Sequence, residues 1–289
     1  MVAAAVDRNV EDALESEREF VLTLGGFSLE VAGASLVTHE KLPVPRFNFV
    51  QERGVGRERQ TAFFEHALDH YFQRALRPTF RVPTPVSSHV DSGLRRFGFR
   101  PKESPLILML SDGRVTGGAA SEVEVHAASH GELDLVASFW TSERERPEFR
   151  TALDIAWMHP HPNEQLVPLL ARLGSETVSA ALAYRYRHTV GIHAVATRES
   201  ARGQGAASAL VTYAIHGQLA GPAEQYSMFA DSARLERRLE SLGFRSSRSF
   251  IEYELPRSAE LSFPSPGPPT GPRWRPPRTS PARGTEDDG

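Results

Sequence analysis

Between residues 190 and 210 a β-prone run ending at Thr197 passes through Arg202-Gly203-Gln204-Gly205-Ala206-Ala207 into a helical pattern. The glycines at 203 and 205 let the backbone turn tightly and place no Cβ in the path of a ligand. Amides of the loop and first helical turn then lack intrahelical acceptors and lie at the positive end of the helix dipole. That geometry suits a phosphate or pyrophosphate. A glycine pair before a helix also serves as a plain tight turn, so the surrounding pattern has to discriminate.

Two familiar phosphate loops fit poorly. The Walker pattern needs Lys and Ser or Thr after its second glycine, where this chain has Ala206-Ala207. The dinucleotide fingerprint needs a third glycine where Ser208 stands. The pattern Arg/Gln-x-x-Gly-x-Gly/Ala is met by Arg202, Gly205 and Ala207 directly after a strand. Beyond the loop, Ala207, Leu210, Val211, Ala214, Ile215 and Leu219 recur at helical spacing, and Gly221-Pro222 ends that helix. A short apolar run, Tyr226–Ala230, precedes a charged helix over about 232–241. Leu242-Gly243-Phe244 closes that helix before a β-like run at Phe250–Leu255. Upstream, Ser175–Arg187 and Thr189–Thr197 read as two strands joined by a turn.

In this loop and order of elements, residues 120–255 or so resemble the GCN5-related N-acetyltransferase (GNAT) superfamily. The resemblance implies a mixed α/β fold with a central mixed sheet flanked by helices. It implies acetyl-CoA as co-substrate, with no metal. The pyrophosphate would be held by Arg202, Gly203, Gln204, Gly205, Ala206 and Ala207. The pantetheine arm would pair with Val195, Ala196 and Thr197 on a strand splayed from its neighbour. A primary amine, on a small molecule or a peptide, would attack the thioester directly. His193 is the first side chain to test as general base, since imidazole titrates near neutrality; a core histidine or a water-borne proton is the competing reading. Strand alternation puts His193 and Val195 on one face. The family often has a tyrosine acid five residues before the Phe of Leu-Gly-Phe, and here that position is Leu239. Ser232 is a hydroxyl near the cofactor, or else a helix N-cap. The missing tyrosine leaves open a non-catalytic acyl-CoA-binding module, and a scaffold without ligand.

The first half repeats the plan. Phe20–Leu24, Phe27–Ala32 and Arg46–Val50 read as strands, and Gln51-x-x-Gly54-x-Gly56 follows. Phe63, Phe64, Ala67, Leu68, Tyr71 and Phe72 then form one helical stripe. A strand at Thr79–Val82, a short helix ending in Phe97-Gly98-Phe99 and the run Pro105–Leu110 complete it. Two GNAT-like halves in tandem are expected, the first degenerate and structural or regulatory. The divisions are residues 1–18 as an N-terminal segment, 19–115 as the degenerate domain, 120–256 as the acyl-CoA-binding domain and 257–289 as a Pro/Arg-rich tail. The tail has too few apolar residues to offset its ordering entropy, so disorder is expected there.

Composition narrows the rest. The 289 residues include no cysteine, which removes disulfides, thiolate zinc sites and a cysteine nucleophile. A net charge of -3 supplies no general basic field for nucleic acid. No apolar run approaches a membrane span, and the N-terminus lacks a signal peptide's basic start. A cytoplasmic monomer or homodimer, with no nucleic-acid or membrane partner, is the expectation. His159-Pro160-His161 lacks a third ligand at useful spacing and is not read as a metal site.

Overall fold

The computed structural model describes residues 2–52, 56–115, 122–142, 145–158, 164–217 and 223–256. Expectations resting on Gly54, on His159-Pro160-His161, on Leu219–Pro222 and on the 257–289 tail lie outside these residues.

The first half runs α1 (Val2–Thr23), β1 (Phe27–Val31), β2 (Ala34–Thr38), β3 (Phe49–Glu52), α2 (Gln60–Phe72), β4 (Thr79–Pro83), α3 (Ser88–Arg96), β5 (Arg100–Pro101) and β6 (Leu106–Ser111). The second runs β7 (Val123–Ala127), α4 (Leu133–Ala137), α5 (Arg146–Met158), β8 (Glu164–Leu173), β9 (Glu176–Tyr186), β10 (Thr189–Thr197), α6 (Ala206–His216), β11 (Gln225–Ala230), α7 (Ala233–Glu240) and β12 (Arg245–Glu254). Strand, loop, helix, parallel strand recurs in both: β3-α2-β4 and β10-α6-β11. Glycines with positive φ follow both short helices, Gly98 at 86° and Gly243 at 92°, which is the backbone requirement behind the two aromatic-closed motifs.

All twelve strands form one mixed sheet in the order β1-β2-β3-β4-β12-β6-β11-β10-β9-β8-β7, with β5 on β12. The last strands are exchanged. β4 is flanked by β12, the end of the second half, while β11 is flanked by β6, the end of the first. β6 and β12 then pair antiparallel at the centre. Residues through Pro256 accordingly make up one compact unit.

Two expectations in the first half are corrected. Residues 1–18 are not a separate segment and Phe20–Leu24 is not a strand, because α1 runs without a break to Thr23. Val10, Ala13, Leu14, Phe20, Val21 and Leu24 are each no more than 3% exposed, at spacings of three, four and seven. The short Phe20–Leu24 run is the C-terminal end of that stripe. Arg46 is likewise outside a strand: Pro45–Phe47 is a 3-10 turn, as a proline in its first turn favours, and β3 starts at Phe49.

Alternating strand residues divide the core between the two faces of the sheet. On one, α1, α4 and α5 bury Phe20, Leu24, Phe149 and Leu153 against Leu170, Leu182 and Tyr184. On the other, α6 and α7 bury Leu210, Val211 and Leu239 against Ala181, Ala183 and Ile192. In the first half α2 and α3 pack Phe63, Phe64 and Leu94 over Val50, Phe80 and Tyr253. No helix among the described residues is long and apolar enough to cross a membrane.

Candidate functional site

The predicted phosphate loop has the required backbone. Gly203 and Gly205 adopt φ of 84° and 85°, the left-handed region that glycine occupies without steric cost. A Cβ at Gly203 would meet nothing within 4 Å, so conformation rather than crowding calls for glycine there. Gly205 is the N-cap of α6 and no side chain caps it, so the first-turn amides carry no side-chain acceptor. Arg202 is exposed beside Glu199 at 3.4 Å, and the Gln204 amide donates to the Ser200 carbonyl at 3.3 Å. Ala206 is buried, and its small side chain lets the helix start close to the sheet.

Ahead of the loop the sheet opens. β10 and β11 pair only from Thr189–Gly191 with Gln225–Ser227, then part. Over the separated stretch β10 keeps β9 on its other side, but with one residue extra: His193 pairs with Leu182 and Ala196 with Ala180. Ala194 absorbs the extra residue at φ 51°, making a β-bulge. Ser179 anchors the strand beyond it, its hydroxyl donating to the Ala196 carbonyl at 2.6 Å and lying 2.8 Å from the Thr197 hydroxyl. The β10 edge toward β11 is left without a strand partner through Val195, Ala196 and Thr197.

Two cavities meet at this bulge. One, of about 240 Å³, lies in the gap between the parted strands, the N-terminal end of α6 and one side of α7. His193, Val195, Thr197, Ala207 and Ser208 line it. The second, about 630 Å³, lies between the Lys41–Phe47 loop and the α4–α5 connection, lined by Phe47, Trp140, Thr141, Ser142, Glu145 and Phe149 among others. Arg46 and Ala194 line both. Arg46 makes no hydrogen bond or ion pair with another described residue; burial lowers its pKa, and the charges of Glu17, Asp231 and Glu252 act in the opposite sense.

His193 reaches the first cavity in an unexpected setting. It is 4% exposed, and its ring stacks on Phe20 of α1 at 4.2 Å with planes 7° apart. Its Nε2 has no hydrogen-bond partner and lies over Gly191, where a Cβ would collide with it. Burial, then the charges of Arg46 and Arg81, hold its pKa well below the ordinary imidazole value. The alternation placing His193 and Val195 on one face is overturned by the bulge. His193 and Ala194 face α1, whereas Val195 packs with the α6 cluster. Ser232 caps α7, its Oγ accepting from Leu235 N at 3.4 Å, and Asp231 rather than Ser232 lines the cavity. Leu239 is buried in the core at the cavity wall. Beside it Arg238 donates to Ser208 Oγ at 2.8 Å, tying α7 to α6. Among the described residues no group of His, Asp and Glu could hold a metal ion.

Sequence reasoning found the loop and the strand before it but missed Arg46, Phe20 and the bulge. Arg46 lies in the first half and meets the site only through the tertiary fold. A readable signal did exist for its turn, since Val44-Pro45 disfavours the residue before proline in a helix and starts a turn.

The comparisons agree with this geometry. The model of the acetyltransferase (GNAT) family matches residues 133–230, from α4 through β11. No curated protein matches the sequence. A GCN5-related N-acetyltransferase from Kribbella flavida superposes with TM-score 0.59 at 15% identity, over 84% of this chain and 95% of its own. A conserved protein of unknown function from Staphylococcus epidermidis gives 0.63 at 12%, over 80% and 94%. A tandem GNAT protein from the clavulanic acid biosynthesis pathway gives 0.51 at 9%, over 71% and 74%. At these identities the likeness is one of fold.

Proposed function

We propose that this chain, whose residues 133–230 match the GNAT acetyltransferase family model, is a GNAT-type N-acyltransferase that moves an acetyl group from acetyl-CoA to a primary amine by direct attack. The observation that carries this reading is the uncapped N-terminus of α6 at Gly205, opening beside a parted and bulged β10. The diphosphate of the cofactor is held by amides from Gly203 to Ala207, with Arg202 at the rim. The pantetheine arm runs along the free edge of Val195–Thr197 as an added strand would, bringing the thioester to the bulge. A backbone amide there polarises the thioester carbonyl and stabilises the oxyanion.

The acceptor enters from the second cavity. Its nitrogen forms a bond to the acetyl carbon, the carbon–sulfur bond breaks, and CoA leaves as thiolate. The amine proton passes to a base and ends on the thiolate or in water. His193 lines the first cavity in its neutral, proton-accepting form, although burial makes it a weaker base than a free imidazole. With leucine at 239, no side chain of that helix position donates to sulfur, so positioning carries most of the rate. The first half, in this reading, is a degenerate repeat that supplies Arg46 and the Lys41–Phe47 wall.

The test is free-thiol release from acetyl-CoA across a panel of amines, read beside thermal stabilisation by CoA. Stabilisation with turnover supports transfer. Stabilisation with no thiol release across a broad panel favours the alternative, a non-catalytic acyl-CoA-binding regulatory module, which the loss of tyrosine at 239 would permit.

A further inference from the structure

The acetyl-transfer reading leaves the acceptor open, and the junction of the two cavities narrows it. Arg46 is the charged side chain that borders both. Its guanidinium has no hydrogen-bonding partner among the described residues; Glu17, Asp231 and Glu252 lie within electrostatic reach of it without forming an ion pair, and its charge reaches His193 in the first cavity. A cation at this place opposes an ammonium group arriving at the thioester and attracts an anion next to it. The acceptor therefore needs a negative group within a few bonds of its nucleophilic nitrogen. The wall beyond is mixed: Val44, Phe47, Trp140 and Phe149 form its apolar part, with Lys41, Glu145 and Glu148 also on the lining of a 630 Å³ space, far more than an amine and a carboxylate fill.

Resting on that reading, we infer that the acceptor is a free α-amino acid with an apolar or aromatic side chain, its carboxylate on Arg46 and its side chain among Phe47, Trp140 and Phe149. A guanidinium meets a carboxylate through two parallel N–H donors, fixing the α-carbon and hence the direction of the amine. The amine gives up its proton to a base before it attacks. The nitrogen–carbon bond then forms as the carbon–sulfur bond breaks, giving an N-acetyl amino acid and CoA thiol. A peptide-bound lysine or a simple alkyl amine offers no carboxylate at this distance and leaves Arg46 unpaired.

The test compares L-phenylalanine and L-leucine with phenethylamine, isopentylamine and L-phenylalaninamide, each with acetyl-CoA, by thiol release and product mass. The amino acids should exceed the decarboxylated and amidated forms by about 100-fold in kcat/KM, the scale of a lost charge-assisted pair. Arg46→Gln should remove that preference by raising KM for the acids, leaving the CoA-induced rise in Tm in place. Arg46→Lys should keep part of it. Equal or better turnover of the amines overturns the inference while acetyl transfer stands. So does loss of CoA stabilisation in a folded Arg46→Gln protein, which would give Arg46 to the cofactor. CoA stabilisation without turnover of any member overturns acetyl transfer itself, and the acceptor assignment with it.

Discussion

His193 shows how a few neighbours reset one side chain. Phe20 covers one face of the ring, Gly191 leaves space beneath Nε2, and two arginine charges add to the burial that keeps it neutral. Between pH 5.5 and 7, kcat/KM should therefore show no limb near 6.5 that disappears in His193→Gln; such a limb would mean that the imidazole titrates as in water. His39 and His70 share the direction, His70 being pushed down to about 4 chiefly by burial. For all three the unfolded chain binds protons at a pH where the folded protein does not. Stability is thus full above about pH 6.5 and falls as pH drops toward 4. Urea midpoints measured across that window should decline, and His70→Asn should flatten the decline. A midpoint independent of pH would contradict the neutral buried state. The histidine could be singled out in the sequence because it stands on the strand before the loop. Its stacking partner was not, since Phe20 lies more than 170 positions away in a run too short to tell strand from helix.

The β10–α6 junction was legible as an element because everything that makes it is local: a β-prone run, two glycines and a helical stripe. The bulge within β10 was not. Alternation predicts faces only while pairing is regular, and nothing in Gly-Ile-His-Ala-Val-Ala states which residue turns out of line. Ala194, at φ 51°, bears that conformation. Replacing it by valine should destabilise by about 1–3 kcal/mol, because a β-branched side chain is strained in the left-handed region. Ala194→Gly should be neutral or slightly stabilising. Urea denaturation of the pair decides it, and equal stability would mean that the bulge relocates freely. Ser179→Ala, which removes the hydroxyl holding Ala196 and Thr197, should cost about 1 kcal/mol and raise KM for acetyl-CoA more than it lowers kcat.

Across the whole molecule the repeat of elements was readable and the exchange of final strands was not. Which strand joins β4 or β11 is a matter of pairings separated by a hundred residues or more. The exchange is accompanied by a buried ion cluster where the halves meet. Arg81 of β4 contacts Glu17 of α1 at 2.8 Å and Glu252 of β12 at 3.0 Å, and lies 3.9 Å over the Phe49 ring. Lys102 reaches Glu252 at 2.7 Å. Arg81→Met should destabilise by about 3–5 kcal/mol, because it leaves two buried carboxylates short of their partner; a loss below 1 kcal/mol by denaturant titration would count against the cluster as the seam. Residues 120–256 alone should fail to fold, with β11 deprived of β6 and β12 of β4, while co-expression with residues 1–119 should restore a soluble complex.

One measurement addresses the proposed anion-binding role of the α6 N-terminus directly: calorimetric titration of coenzyme A into the full chain and into Gly205→Glu. Saturable heat in the first and none in the second, both folded by circular dichroism, is the expected outcome, since glutamate brings bulk and negative charge to the diphosphate position. A folded wild-type chain that gives no saturable heat, or a Gly205→Glu chain that binds as well, would contradict it.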